Sequence, residues 1–195
     1  MKKRVFIIHG WDGYPKEGWF PWVKKELEKK RKFDVKVPAM PSPSHPKLHR
    51  WVAHLRKLVG RPDTHTYFVG HSMGCRAILR YLEKLPPKAK VGGAVLVAGW
   101  VSLTPLATGT KEEKEIAGQW LKTRHNFARA RSHTKSFTAI FSDNDKFVPR
   151  GNWKVYRKKL GAKIIIQRNK GHFSGSDGIK KLPAALEAIL KISKN

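Results

Sequence analysis

Six short apolar segments alternate with segments of helical periodicity along the chain, and this alternation restricts the possible folds more than any other feature. Short continuous apolar runs are typical of strands buried on both faces, as in a parallel sheet whose crossovers are helices. The six runs lie at residues 4–8, 33–40, 65–70, 91–99, 136–142 and 162–168. The sequence therefore predicts an α/β fold, a three-layer sandwich with a six-stranded, mostly parallel sheet flanked by helices.

The segments between the runs predict one domain over residues 1–195. Apolar spacing indicates a first helix from Phe20 to about Lys32 and a C-terminal helix over residues 179–192. Two short helical segments between the fourth and fifth strands predict a small helical insertion at about residues 104–132. In open parallel sheets, ligands bind beyond the carboxyl ends of the strands, so the loops at that edge are where chemistry is expected.

The third strand leads into the pentapeptide Gly-His-Ser-Met-Gly, which is centred on Ser72 and precedes a helical pattern. A nucleophile elbow needs small residues two before and two after its serine, because the turn is sharp and a bulky side chain there would meet the backbone. Gly70 and Gly74 meet that need. Ser72 is therefore the candidate nucleophile, and the alternative is a serine that caps the helix.

A serine hydroxyl needs a base within hydrogen-bonding reach. His172 lies between Gly171 and Phe173 in the loop after the sixth strand, which makes it the candidate base, and the alternative is a surface histidine. Eight further histidines occur. Three of them have a loosely metal-like spacing without carboxylate or thiol partners, so neither a metal site nor a cofactor is expected: His45, His49 and His54.

The third partner of a triad is a carboxylate that orients the imidazole. The fifth strand ends in SDNDKFVP, which offers Asp143 and Asp145. Hydrolases commonly carry an acid followed by two residues and then Val-Pro, here Val148-Pro149, which favours Asp145 and leaves Asp143 as a turn residue. The resulting order of serine, aspartate and histidine is the order of α/β-hydrolases.

The oxyanion of an acyl-transfer reaction needs two N–H donors. The N–H of Met73, one residue past the nucleophile, is the first candidate, and the N–H of Trp11, after the first strand, is the second. His9, Gly10 and Trp100 follow strands that end at the same edge and are predicted to contact substrate. Trp19 and Trp120 are weaker candidates for the pocket wall.

In combination, the motifs IIHGWDG, VPAMPSPSHPKLHRWV, VGHSMGC, SDNDKFVP and GHFSGSDG resemble the small single-domain serine hydrolases that include retinoblastoma-binding protein 9 and the YdeN proteins. The resemblance covers nearly the whole chain. It implies an α/β-hydrolase fold with little or no cap domain, the triad Ser72, Asp145 and His172, and activity on small esters or amides. Lys146 departs from the family pattern, and its cation would either compete with His172 for Asp145 or point to solvent.

The charge is the second departure from this family. The chain carries 41 Lys and Arg against 14 Asp and Glu, a net charge of +27, spread over its length rather than in a tail. This pattern predicts an engineered, positively supercharged hydrolase whose core and site were left alone. Arg76 and Arg80 are expected to carry this surface charge within two helical turns of Ser72.

The sequence therefore predicts a serine hydrolase that forms an acyl-enzyme with a small ester or amide substrate. The alternative is a polyanion-binding protein on a hydrolase scaffold with little or no catalytic activity, since +27 attracts RNA and DNA without sequence preference. Electrostatic repulsion between the like-charged surfaces of two copies favours a monomer. Cys75 is the only cysteine, and no leader or membrane-spanning run is recognisable, so a cytoplasmic location without membrane insertion is expected.

Overall fold

The computed structural model describes residues 2–194 and builds them around one sheet of six strands, all parallel. The strands lie in the order β2-β1-β3-β4-β5-β6. Their bounds are β1 Lys3–Ile8, β2 Phe33–Lys36, β3 Thr66–His71, β4 Gly93–Val97, β5 Phe137–Ser142 and β6 Lys163–Gln167. The predicted three-layer α/β sandwich is confirmed, and its sheet is parallel throughout the described residues.

Seven α-helices connect or follow these strands. Their bounds are α1 Phe20–Glu28, α2 Leu48–Val59, α3 Met73–Glu83, α4 Lys111–Lys122, α5 Phe127–Arg131, α6 Gly151–Val155 and α7 Pro183–Ile192. A 3-10 turn at Pro105–Ala107 precedes α4, and a π-helical turn at Tyr156–Leu160 extends α6. Within residues 2–194, no helix is both long enough and apolar enough to cross a bilayer.

Two helix ends differ from the sequence prediction. The helix α1 stops at Glu28, short of Lys32, because the chain turns at Arg31 with a positive φ of 52° before it enters β2. The helix α7 starts at Pro183, later than residue 179, because the fixed φ of proline suits the first helical turn and proline needs no N–H partner there.

The core has two layers because successive strand residues point to opposite faces of the sheet. Phe6 and Ile8 of β1 join the layer that packs under α2, α3 and the segment between β4 and β5. Val5 and Ile7 join the layer that packs under α1 and α7. All four side chains are almost fully buried. The sheet is therefore a rigid platform whose carboxyl edge carries the candidate site.

The expectation of a surface charge at Arg76 is wrong. Its side chain is 2% exposed and stacks over Trp100, with the guanidinium carbon 4.6 Å from the ring centroid. It donates to the carbonyl oxygens of Trp100, Trp120 and Thr123. Burial lowers the pKa of Arg76 to about 10, so it remains charged at neutral pH. Arg76 therefore fastens the helical segment before β5 to α3.

Candidate active site

The turn between β3 and α3 holds Ser72 in a strained backbone conformation. Its φ is 51° and its ψ is −115°, a region that residues with a side chain rarely adopt. A Cβ on Gly70 would lie 2.9 Å from the backbone N of Cys75, and a Cβ on Gly74 would come within 3.0 Å of the Ile8 carbonyl oxygen. Both glycines are therefore required by the sharp approach of α3 to β1 and β3.

Ser72 stands at the N-cap position of α3, but its hydroxyl makes no capping hydrogen bond. Its backbone N–H donates instead to the Val97 carbonyl oxygen at 2.8 Å, which fixes the turn against the end of β4. The alternative of a helix-capping serine therefore loses its physical basis. The side chain lines a cavity of about 460 Å³ at the carboxyl edge of the sheet.

His172 and Asp145 form a hydrogen-bonded pair beside this cavity. His172 Nδ1 lies 2.8 Å from Asp145 Oδ2, and the side chains are 13% and 2% exposed. The other oxygen of Asp145 accepts from the N–H groups of Phe147 and Val148, at 2.8 and 3.1 Å. The carboxylate is thus fully engaged, and its bond to Nδ1 selects the tautomer that leaves His172 Nε2 free to accept a proton.

The neighbours of Asp145 have other positions. Asp143 Oδ1 accepts from the Asn169 N–H at 2.9 Å, so this carboxylate connects the loops after β5 and β6. Lys146 is exposed, and among residues 2–194 the one ion pair of Asp145 is with His172. The cation beside Asp145 therefore points to solvent, which decides between the two readings of Lys146.

The loop that carries His172 is held by Asp177, which the sequence reasoning did not use. Asp177 Oδ2 accepts from the His172 N–H at 2.9 Å, and from the N–H and hydroxyl of Ser174 at 3.0 and 2.6 Å. Burial opposes the charged form, but these hydrogen bonds outweigh it and lower the pKa of Asp177. Gly171, at a φ of 52°, makes room, because a Cβ there would come within 3.0 Å of this carboxylate.

Two further polar side chains tie the histidine loop to the end of β5. Ser142 Oγ accepts from the Lys170 N–H at 3.0 Å and donates to Asn144 Oδ1 at 2.7 Å. Asn144 Oδ1 also accepts from the Gly171 N–H at 2.9 Å. One signal for this role is visible in the sequence, since both residues flank Asp143 at a strand end, but it does not identify the partner loop.

His71 is a second residue that the sequence reasoning passed over, although it directly precedes the nucleophile. Its Nε2 lies 2.7 Å from the His172 carbonyl oxygen, so Nε2 carries the hydrogen. Burial, followed by the nearby His172 ring, lowers the pKa of His71 to about 3. His71 therefore stays neutral at physiological pH and anchors the backbone of the candidate base.

Two N–H groups near Ser72 are available as oxyanion donors. Within residues 2–194, the N–H groups of Met73 and Trp11 donate to no protein acceptor. Gly10 brings the Trp11 loop close, because a Cβ on Gly10 would lie 3.2 Å from Ser72 Cβ. The Trp11 indole donates to the Ser44 carbonyl oxygen at 2.9 Å, which fixes the ring at the cavity. Both candidate donors thus belong to residues that line the cavity together with Ser72.

The predicted substrate contacts divide into two groups. Gly10 and Trp100 line the cavity with Ser72 and His172, whereas His9 lies outside the lining. His9 is 1% exposed, and its ring nitrogens bond to the Gly10 carbonyl oxygen and the Met40 N–H. Burial lowers the pKa of His9, which makes it a neutral core histidine. The indoles of Trp19 and Trp120 are likewise buried and bond to the Phe173 and Pro46 carbonyl oxygens.

A parallel sheet of this order, with a nucleophile elbow after β3 and a histidine after its last strand, defines an α/β-hydrolase. A family model described as serine hydrolase matches residues 5–191. The chain belongs to this serine hydrolase family.

Individual relatives agree with this assignment. YdeN of Bacillus subtilis (strain 168) is 29% identical over 189 residues, covering 97% of this chain and 95% of YdeN. The crystal structure of YdeN superposes with a TM-score of 0.90 and full coverage of both chains. Serine hydrolase RBBP9 of Rattus norvegicus is 24% identical over 82% of this chain and 80% of its own length. A carboxylesterase structure from the thaumarchaeon Nitrososphaera gargenis shares the fold, with a TM-score of 0.68, 14% identity, and coverage of 99% of this chain and 92% of that one.

Proposed function

We propose that the protein cleaves small carboxylic esters, with small amides as slower substrates, through an acyl-enzyme formed on Ser72. The observation that carries this proposal is the 2.8 Å hydrogen bond from His172 Nδ1 to Asp145 Oδ2, made where His172 and Ser72 line one cavity. A base whose orientation is fixed by a buried carboxylate is the arrangement that activates a serine hydroxyl.

In the proposed reaction, Ser72 Oγ attacks the ester carbonyl carbon while His172 Nε2 takes the hydroxyl proton. The carbonyl oxygen becomes an oxyanion held by the N–H groups of Met73 and Trp11. Collapse of this intermediate expels the alcohol, which takes the proton from His172. Water then attacks the acyl group with the same proton transfers, which releases the acid and restores the Ser72 hydroxyl.

Cys75 does not compete for the role of nucleophile. It is fully buried one helical turn beyond Ser72, and its thiol donates to the Val97 carbonyl oxygen at 3.3 Å. Burial raises the pKa of the Cys75 thiol, so the reactive thiolate is scarce at neutral pH. The serine is therefore the nucleophile that the cavity offers to a substrate.

Labelling with a fluorophosphonate probe tests the proposal, because such probes react with activated serines. We expect folded wild-type protein to be labelled at Ser72 and to hydrolyse p-nitrophenyl acetate. Ser72→Ala should lose labelling and lower turnover by about 10³-fold or more. Ser102→Ala is the matched control, since Ser102 is exposed and lies outside the cavity lining. Unlabelled wild-type protein beside a reactive control hydrolase would show the proposal to be wrong.

The charge supports a second candidate function, nonspecific binding of RNA or DNA. A net charge of +27 attracts polyanions with or without catalysis. Fluorescence anisotropy with a labelled RNA at about 50 mM and about 500 mM salt tests this, because binding by counterion release weakens steeply with salt. Affinity retained at high salt together with a sequence preference would instead indicate a dedicated binding protein.

We also infer that the basic surface was engineered onto a natural hydrolase, that the protein is monomeric, and that it works in the cytoplasm. The support is the spread of Lys and Arg over exposed helix faces while the buried core stays apolar. Replacing Lys25, Arg50 and Lys158, which are exposed, by glutamate should leave turnover and stability unchanged. A lower turnover or a lower unfolding free energy in this variant would contradict the inference that the basic residues were added to the surface of an unchanged hydrolase. Sedimentation at low salt tests whether the protein is monomeric.

A further inference from the structure

The cavity that contains Ser72 has a charge opposite to that of the protein. Lys and Arg make up 41 of the 195 residues, so about four of the eighteen lining residues would be basic if residues were drawn in proportion. Within residues 2–194, no lining residue is Lys or Arg. Four are carboxylates, drawn from only 14 in the chain: Asp12, Glu17, Glu112 and Glu113.

These carboxylates come from two separate parts of the chain. Asp12 and Glu17 belong to the loop between β1 and α1, whereas Glu112 and Glu113 open α4. Glu113 has a structural task, because it forms a capping box with Thr110 through bonds of 2.8 and 3.1 Å. Glu112 pairs with exposed His45 at 2.6 Å.

Asp12 and Glu17 differ from this pair, because neither carboxylate has an ion pair or a hydrogen bond within the described part of the chain. No structural task accounts for their charges. Both residues line the cavity together with Ser72, so their carboxylates are available to a cationic group on a molecule that enters it.

The cavity also offers aromatic surfaces that suit a cation. Trp11 and Phe147 line it, and Phe147 meets the edge of the His172 ring with centroids 5.3 Å apart. Aromatic faces attract ammonium groups through the ring quadrupole. The remote Lys and Arg residues repel a cation, but salt screens them over about 8 Å at physiological ionic strength, so charges inside the cavity dominate there.

We propose that the substrates of this site are small esters that carry an ammonium group, which Asp12 and Glu17 bind. This inference rests on the proposed esterase function and adds the substrate class to it. The carboxylates bind the cation away from the reacting carbonyl, so they are binding residues and take no part in proton transfer.

Three p-nitrophenyl esters of matched shape test the inference. The acyl groups are 4-(trimethylammonio)butanoyl, its neutral isostere 5,5-dimethylhexanoyl, and the anionic glutaryl. At physiological ionic strength we expect kcat/KM for the cationic ester to exceed that for the neutral ester by about tenfold, mainly through KM, with the anionic ester lowest.

The double variant Asp12→Asn/Glu17→Gln should remove this preference by lowering kcat/KM for the cationic ester about tenfold. Asparagine suits the positive φ of 54° at residue 12, so the loop is preserved. The control Glu28→Gln/Glu115→Gln removes the same charge from exposed positions outside the cavity and should keep the preference. A fall in turnover of the neutral ester in the first variant, with a shifted pH profile, would assign the carboxylates to His172 instead and overturn the inference.

A binding experiment separates failure of the inference from failure of the proposed function. The methyl esters of the cationic and neutral acids are titrated into Ser72→Ala protein, which needs no catalysis. Tighter binding of the cationic ester supports the inference even if wild-type protein hydrolyses no ester. Equal binding, or equal kcat/KM in wild-type protein, overturns the inference and leaves the esterase proposal standing.

Discussion

The protein contains two buried histidine–carboxylate pairs that look alike and have different surroundings. His172 and Asp145 lie 2.8 Å apart with side chains 13% and 2% exposed, and His125 and Glu83 lie 2.6 Å apart with side chains 1% and 4% exposed. The first pair follows strands β5 and β6 beside Ser72, whereas the second joins the end of α3 to the segment between α4 and α5.

The partners of each carboxylate explain the difference. Asp145 accepts two backbone N–H bonds besides that of His172, while Glu83 shares its charge with Arg80 at 2.5 Å. The free nitrogen of His125 is buried without a hydrogen-bond partner among the described residues. Burial lowers the pKa of His125, which outweighs the opposing pull of Glu83. A short bond between imidazole and carboxylate therefore indicates a candidate base only when the histidine also lines a cavity beside a candidate nucleophile, as His172 does beside Ser72.

Exchanging each histidine for glutamine gives the largest expected contrast between the pairs. His172→Gln should lower kcat/KM for p-nitrophenyl acetate by about 10⁴-fold or more, because glutamine cannot take the proton from Ser72. His125→Gln should leave kcat/KM within about threefold, since it touches no reacting atom. Initial rates at matched concentrations of folded protein measure both. Similar losses in the two variants would mean that the comparison is false.

The two pairs should have the opposite order in their contribution to the free energy of unfolding. Glu83→Gln leaves the largely buried Arg80 without its counter-charge, which should lower the free energy of unfolding by about 3 kcal/mol. Asp145→Asn should cost less, because the amide oxygen can still accept from Phe147 and Val148. Urea titrations of both variants measure this. A larger cost at Asp145 would show that the pair at the cavity holds the fold.

The confirmed fold could be predicted from the sequence because its strands are continuous apolar runs, as in IIHG and GAVLVAG. The loops that carry Ser72, Asp145 and His172 were accessible because parallel strands end at one edge. The burial of Arg76 could not be predicted, because an arginine among small and apolar residues usually indicates the exposed side of a helix. Only the segment before β5, which supplies three carbonyl oxygens, makes its burial favourable.

The contribution of Glu112 and Glu113 to the cavity was equally hidden. Both open an insertion helix, and the preference for acidic residues in a first turn explains them without any site. Asp177 was hidden for another reason, because its bonds to the His172 and Ser174 N–H groups depend on the loop conformation. Periodicity reports which faces are buried, but it carries no information on side chains that bond to loop backbone.

His71 is a third buried histidine, and among the described residues it has no carboxylate partner. The pH dependence of the unfolding free energy should therefore distinguish it from the two paired histidines. Because burial lowers the folded-state pKa of His71 to about 3, the unfolded chain binds this proton first as the pH falls. The stabilisation is complete above about pH 6.5 and is lost between there and about pH 3, by about 4 kcal/mol. Urea unfolding at several pH values measures this loss.

Glutamine at position 71 keeps a donor for the His172 carbonyl oxygen and cannot titrate. His71→Gln should therefore show a shallower fall in unfolding free energy below pH 6.5 than wild-type protein does. Exposed His49→Gln is the control and should follow the wild-type curve. Parallel curves for wild-type protein and His71→Gln would show that His71 takes up its proton in the folded state as readily as in the unfolded chain.

The smallest expected effect concerns Asp177, which holds the loop that carries His172. Within residues 2–194, the pair of His125 and Glu83 has no corresponding carboxylate. Asp177→Asn keeps one acceptor oxygen but loses the charge that strengthens the bonds from His172 and Ser174. We expect kcat/KM to fall about tenfold, the loss of one charge-assisted hydrogen bond, with little change in unfolding free energy. Asp34→Asn, at an exposed position of β2, is the control. Equal rates in wild-type protein and both variants would show that Asp177 does not support the site.

The missing side chain of Gly74 has a consequence for how this site can change. The backbone of α3 rests against the Ile8 and His9 carbonyl oxygens, and a single methyl group would force the two apart. The N–H groups of Met73 and Trp11 sit on the two sides of that contact. The absence of a side chain at Gly74 thus determines how close these two N–H groups are, although Gly74 lies outside the cavity lining. The spacing of these two candidate oxyanion donors is therefore set by a backbone contact, so side chains around the cavity can change without altering it.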